Sequence, residues 1–223
     1  MCNHYLKNTA VLSWATTRFP DATLPPDFPE HPEHTWPKSQ APVLLQTERG
    51  REMASLRWGV RVEVRGTSKL LTKYVTNARD DKLSGFTWRF LAAERRCLVP
   101  ATAYFEPDGP EGQKWEVRFS LPQRPNFFFA GLWDTDPDRV TRSFTIVTTG
   151  PNALAAKIHD RMPLVLDDAG AAAWLGHRPL PADELRALCR PYPDEQMMNV
   201  VLPPPERAIR KADLKPDDQQ LLF

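Results

Sequence analysis

Apolar residues fall in short, dense runs along the middle of the chain, broken at close intervals by proline, glycine or aspartate. The runs are VLLQT (43–47), ASLRWGV (54–60), RCLVPATAYFE (96–106), KWEVRF (114–119), NFFFAGLW (126–133), SFTIVTT (143–149) and PLVL (163–166). Their valine, phenylalanine, tryptophan and threonine content is that of β-strands. Helical patterning is confined to residues 8–16, 84–95, 151–158, 167–175 and 181–190. DDAGAAAWL opens on N-cap residues, and PADELRALC places Pro181 and Asp183 near a helix start. Strands outnumber helices and do not alternate regularly with them. This predicts an α+β fold: a single domain with a mostly antiparallel, barrel-like β-sheet core flanked by a few helices.

Composition adds two features. The chain has 223 residues, 41% of them hydrophobic, enough to bury a good core as one large domain or two small ones. Its 23 prolines are about twice the usual share of about 5%. Many of them stand in residues 20–42, too broken for a helix or sheet interior, and in 201–223, which read as an extended tail. The expected organisation is a domain over 1–200 followed by a proline-rich C-terminal tail over 201–223.

Charge narrows the classes of partner. The 29 basic and 28 acidic residues nearly cancel, giving +1, so any nucleic-acid binding must come from a local basic patch. The sequence has neither a run of about 18 apolar residues nor a basic-then-apolar leader, so no membrane partner and a cytoplasmic location are expected. Cys2, Cys97 and Cys189 are odd in number and far apart, which argues against a disulfide framework and against a CxxC-type metal site.

Five stretches place reactive polar residues in apolar surroundings: MCNHY at the start, VTNARD (75–80), ATAYFEP (101–107), IVTTG (146–150) and KIHDRMPLVL (157–166). Asn77 and Arg79 stand two apart and point the same way in an extended segment. Each stretch has an ordinary reading: Cys2 as an incidental small residue, Glu106 as a solvated carboxylate, His159 beside Asp160 as a structural hydrogen bond. Singly, none carries a function.

Together, Cys2, Asn77 of NAR, Glu106 of YFE and His159 of HDRMPLVL resemble the SOS response-associated peptidase (SRAP) family, whose members process abasic sites in DNA. The resemblance runs from Met1 to about Leu166. It implies that Met1 is removed and that Cys2, then carrying both a thiol and a free α-amine, condenses with the aldehyde of an abasic site in single-stranded DNA. The amine forms a Schiff base and the thiol closes a thiazolidine, a covalent protein–DNA link that shields the lesion. His159 would assist sugar-ring opening, Glu106 would move protons around the amine, and Asn77 would hold the terminus or the sugar. An α-amine titrates near 7.7–8.0 and a thiol near 8.5, so each has a useful nucleophilic fraction at neutral pH. No cofactor or metal is implied.

The same resemblance assigns DNA contacts. Arg79 and Arg161 match phosphate-holding positions, Thr148 matches a polar backbone contact, and Pro42 and Trp58 would offer apolar or stacking surface to an unpaired base. Three stretches depart from the common pattern. MCNH stands for MCGR, so Asn3 and His4 occupy the place of Gly-Arg, and His4 replaces a phosphate-holding arginine. WPKSQAP stands for a YNVAP-like stretch, and VRVEVRG replaces a wedge rich in proline and tryptophan. Two further readings stay open: a cysteine peptidase or N-terminal-nucleophile hydrolase using Cys2 with His159 as base, and a binding module in which Cys2 is incidental. Finally, Gln219, Leu222 and Phe223 in the closing DQQLLF resemble the short peptides that dock on bacterial sliding clamps, an expected partner alongside nucleoid DNA.

Overall fold

In the computed structural model the described residues are 2–65, 69–111, 113–176 and 178–202. The chain starts with a short strand β1 (Tyr5–Leu6), helix α1 (Val11–Arg18) and a second short strand β2 (His34–Thr35). Two hairpins follow, β3 (Gln40–Thr47) with β4 (Gly50–Trp58) and β5 (Val60–Arg65) with β6 (Leu70–Val75), and then the three-residue β7 (Asn77–Arg79). Helix α2 (Arg89–Glu94) leads into β8 (Arg96–Ala101), β9 (Ala103–Asp108), β10 (Trp115–Ser120), β11 (Phe127–Thr135) and β12 (Arg142–Thr149). The short strands β13 (Met162–Pro163) and β14 (Val165–Leu166), helices α3 (Asp168–Trp174) and α4 (Ala182–Leu188), and β15 (Met198–Leu202) complete it.

The sheet β12–β4–β3–β8–β11 closes on itself because β11 also pairs β12, giving a five-stranded barrel in which only β12–β4 is parallel. A second sheet, β15–β10–β9–β1–β2, lies beside it. The single-domain α+β fold expected from the strand pattern is therefore the one formed.

Both faces of β3, β8, β11 and β12 are largely buried, which is why they read as near-continuous apolar runs, whereas β4 alternates, burying Ala54, Leu56 and Trp58 and leaving Ser55 and Arg57 half-buried. Val43, Leu45, Leu56, Trp58, Val99, Phe129, Phe144 and Ile146 pack with Cys2, Tyr5, Tyr104 and Phe119 of the second sheet's side. The intervening Leu44, Met53, Leu98, Phe128, Leu132 and Val147 pack with Ala15, Leu91 and Trp174 from the helices. Gly131 permits the closest approach across β8, β11 and β12: a Cβ there would meet Cys97 Sγ at 2.8 Å.

Several boundaries differ from the sequence reading, each for a local reason. The run 96–106 is two strands. Thr102 is the corner where the chain leaves the barrel for the second sheet, its N–H and hydroxyl both donating to the Leu6 carbonyl at 2.7 and 3.1 Å. The run 54–60 ends at Trp58 because Gly59, at φ +127°, turns the chain into β5. Residues 151–158 form only the 3₁₀ turn Ala155–Lys157, opened by Asn152, whose Oδ1 accepts from Ala155 N–H at 2.8 Å and whose Nδ2 donates to Tyr192 O at 2.9 Å. The proline-rich 20–42 holds little regular structure but ends inside β3. No helix among the described residues is long and apolar enough to cross a membrane. Gln219, Leu222 and Phe223, and the tail from 203 onward, lie outside the described residues.

Candidate functional site

Strand β12 is the axis on which the quoted stretches meet. Its C-terminal half, Ile146–Thr149, is bracketed by β7 on one side (Ile146 opposite Asn77, Thr148 opposite Arg79) and by β13 on the other (Thr148 opposite Pro163). NAR and the MP of HDRMP are thus pinned to opposite edges of VTT. Asp80, just past β7, staples the three together: it pairs with Arg161 and accepts from Thr149 Oγ1 at 2.9 Å. Sequence reading passed over Asp80, although it closes the quoted VTNARD.

The N-terminal segment enters this corner beside β9, with β1 paired to it through Tyr5 and Tyr104. Cys2 is 1% exposed. Asn77 Nδ2 donates to the Cys2 carbonyl oxygen at 2.8 Å, and the Cys2 thiol donates weakly to the His4 carbonyl at 3.6 Å. Asn77 Nδ2 also reaches Thr76 Oγ1 at 3.1 Å, while Asn77 Oδ1 is buried with no hydrogen-bond partner among the described residues.

Electrostatics tie Glu106 and His159 to the same terminus. Glu106, on β9 and 2% exposed, is raised from 4.5 to about 7, chiefly by burial, against the attraction of the chain's positive amino terminus. The Cys2 thiol is pushed far up by burial and then by the Glu106 charge, so it is neutral at pH 7. His159 is lowered below 6.5, first by burial and then by the positive amino terminus. Its Nδ1 accepts from Arg161 N–H at 3.0 Å, which leaves the ring proton on Nε2. Asp160 Oδ1 lies 2.9 Å from that same Nδ1, a contact that needs a proton there, either in the charged ring or in the neutral Nδ1–H tautomer. The depressed pKa and the exposure of Asp160 favour the neutral form. Cys2, Asn77, Glu106 and His159 thus converge on the amino terminus.

The expected DNA contacts divide. Arg79 is exposed and forms a fork with Asp81, Nε–Oδ1 and Nη2–Oδ2 both at 2.9 Å. Arg161 is partly buried and committed to Asp80 and to Thr148, through its carbonyl and, at 3.4 Å, its hydroxyl. Thr148 is itself buried. Pro42 is buried in β3, and Trp58 is 0% exposed with Nε1–H donating to Thr76 O at 2.9 Å, so neither shows a face to a base in this structure. Asn3 is exposed.

His4 is not a free surface cation. Its ring is buried between Trp36 (centroids 3.7 Å apart, 14° between planes) and Phe105 (4.0 Å, 12°). Nδ1 meets Glu116 Oε1 at 2.8 Å and Nε2 meets His34 Nδ1 at 2.7 Å. Burial lowers its pKa, and Glu116 opposes that. Among the described residues no group of three histidines, cysteines or carboxylates is placed to hold a metal ion.

Residues 1–203 match the family described as SOS response associated peptidase (SRAP). The abasic site processing protein YoqW of Bacillus subtilis is 31% identical over 178 residues, 77% of this chain and 79% of the relative. YobE of the same organism, also named an abasic site processing protein, is 29% identical over 178 residues, 77% of this chain and 81% of the relative. Among solved structures, a protein from Bacteroides thetaiotaomicron superposes with a TM-score of 0.73 at 22% identity, covering 90% of this chain and 92% of its own. One from Bordetella bronchiseptica gives 0.71 at 26% identity, covering 90% and 99%.

Proposed function

The chain belongs to the SRAP family, and from that premise we propose that it processes abasic sites in single-stranded DNA by bonding to them covalently through Cys2 once Met1 is removed. The names of YoqW and YobE support the substrate.

The chemistry runs in two condensing steps. The free α-amine of Cys2 attacks the aldehyde carbon of the ring-opened sugar, and the resulting carbinolamine loses water to give a Schiff base. The Cys2 sulfur then adds to the imine carbon while the thiol proton passes to nitrogen, closing a five-membered thiazolidine. One water leaves overall, and nothing is oxidised or reduced.

The residues around the terminus suit these steps. Glu106, with a pKa of about 7, exchanges a proton readily at neutral pH and so serves the dehydration and the ring closure. His159, neutral with its proton on Nε2, is a donor for opening the sugar ring. Asn77 fixes the carbonyl of the reacting residue, which holds amine and thiol in one orientation.

The observation that carries the proposal is the buried Cys2, held at its carbonyl by Asn77 Nδ2 at 2.8 Å, with the buried Glu106 carboxyl turned to the same terminus. A peptidase nucleophile requires a lowered thiol pKa. Here the thiol is raised, which favours an amine-first condensation in which the thiol acts second and within the molecule. The test is a denaturing gel of the protein with single-stranded DNA carrying an abasic site. A stable adduct is expected from protein with a free Cys2 terminus, and none from Cys2→Ala. Peptide cleavage without any adduct would overturn the proposal.

A further inference from the structure

We propose that Trp36 and Lys38 form a seat for one unpaired nucleotide beside the abasic site, Trp36 stacking on its base and Lys38 meeting its phosphate. The proposal rests on the single-stranded DNA substrate inferred above and adds to it a contact that sequence reading had given to Trp58.

Trp36 is the outermost ring of a column, Phe105–His4–Trp36. Phe105 and His4 are buried, whereas Trp36 is 46% exposed. With its inner face covered by His4, that exposure belongs to the outer face and the edges. The column cannot slide, because the His4 ring is tied at both nitrogens, to Glu116 and to His34. It is also linked to the reacting residue, since the His4 carbonyl accepts from Phe105 N–H at 3.0 Å and from the Cys2 thiol. Antiparallel pairing of Tyr5 with Thr35 sets Trp36 across from His4. Two residues of extended chain span only about 7 Å, so the platform stands near Cys2.

The turn beyond Trp36 supplies the charge. Trp36, Pro37, Lys38 and Ser39 form a β-turn closed by Ser39 N–H to Trp36 O at 3.0 Å, with proline second and a positive φ third. The third place favours glycine, yet Lys38 holds it at φ 74°. Such a conformation costs a side-chain-bearing residue free energy and persists where the surroundings hold it. They do: Lys38 N–H donates to Trp58 O at 2.8 Å, and Trp58 N–H to Ser39 O at 2.9 Å. Trp58 is thus the floor beneath the seat. Lys38 is exposed and makes no ion pair among the described residues, which leaves its ammonium to the backbone of a strand whose base lies on Trp36. Every base has a π-face, so the seat tolerates any sequence.

The test uses the full chain lacking Met1 and single-stranded oligonucleotides with a tetrahydrofuran abasic analogue, which has no aldehyde and cannot crosslink. A 2-aminopurine is placed on either side of the analogue in turn. Quenching is expected at one flanking position, abolished in Trp36→Ala and retained in Trp36→Phe. Affinity should fall about 5- to 100-fold in Trp36→Ala. Lys38→Gly should raise the thermal midpoint while weakening binding several-fold, a pairing that a purely structural turn would not give. Quenching equal in wild type and Trp36→Ala, or Lys38→Gly binding unchanged, would overturn the seat. Because no covalent step is involved, these results are independent of whether Cys2 crosslinks to true abasic DNA.

Discussion

Asn77 Nδ2 holds the Cys2 carbonyl oxygen at 2.8 Å, across 75 positions of sequence. Asn77 follows the β5–β6 hairpin after one intervening residue, on β7, which pairs with β12 with Asn77 opposite Ile146, so the reactive terminus is positioned by the barrel rather than by its own strand. Asn77→Asp would turn the donor into an acceptor facing a carbonyl. We expect crosslinking slowed at least tenfold in single-turnover kinetics. Asn77→Ala should cost about 1 kcal/mol of stability in denaturant titration, the net worth of one hydrogen bond.

Glu106 is the group whose titration shapes both stability and rate. Its folded pKa of about 7 exceeds the ordinary 4.5, so the folded protein binds more protons than the unfolded chain in between. Stability therefore falls as pH rises through that window, by roughly 3 kcal/mol at most. Glu106→Gln should flatten this dependence and raise the thermal midpoint above pH 7 while slowing crosslinking. A wild-type midpoint that does not decline from pH 5 to about 7 relative to Glu106→Gln would contradict the assignment.

Arg161 and Asp80 form a partly buried pair that joins NAR to HDRMP. Removing one partner leaves a charge facing carbonyls or hydroxyls, so Asp80→Ala should destabilise by about 3 kcal/mol. Asp80→Asn, which keeps the shape and frees the guanidinium, should tighten DNA binding at low salt if Arg161 meets a phosphate. Chemical denaturation and DNA titration read the two effects separately.

Salt dependence should be shallow. With a net charge of +1 and many arginines already paired to carboxylates, few phosphates can be neutralised. The slope of log affinity against log salt should be no steeper than about −5. A steeper slope would mean that a larger basic surface engages DNA.

Most of the barrel was legible because β3, β8, β11 and β12 bury both faces, and density of apolar residues alone marks them. The β5–β6 hairpin was not legible: VRVEVR and LLTKYV leave much of their surface exposed, and their charges mask the strand. Thr102 looked like strand interior because a sheet-switching corner leaves no composition signal. The convergence of Cys2, Asn77, Glu106 and His159 was readable only through family likeness, since pairings such as β7 with β12 are long-range. Trp58 was misplaced as a surface ring, although it shares the phase of buried Leu56 and Ala54, two and four residues earlier. Trp36 was hidden in the proline-rich stretch, where no periodicity shows that it stacks on His4.

The central claim is tested most directly by the intact mass of the adduct formed without reductant between protein lacking Met1 and single-stranded abasic DNA. The mass expected is that of protein plus DNA minus one water, with peptide mapping placing the link on Cys2 and finding no free thiol there. An adduct that forms equally in Cys2→Ala, or that maps to a lysine, would contradict it.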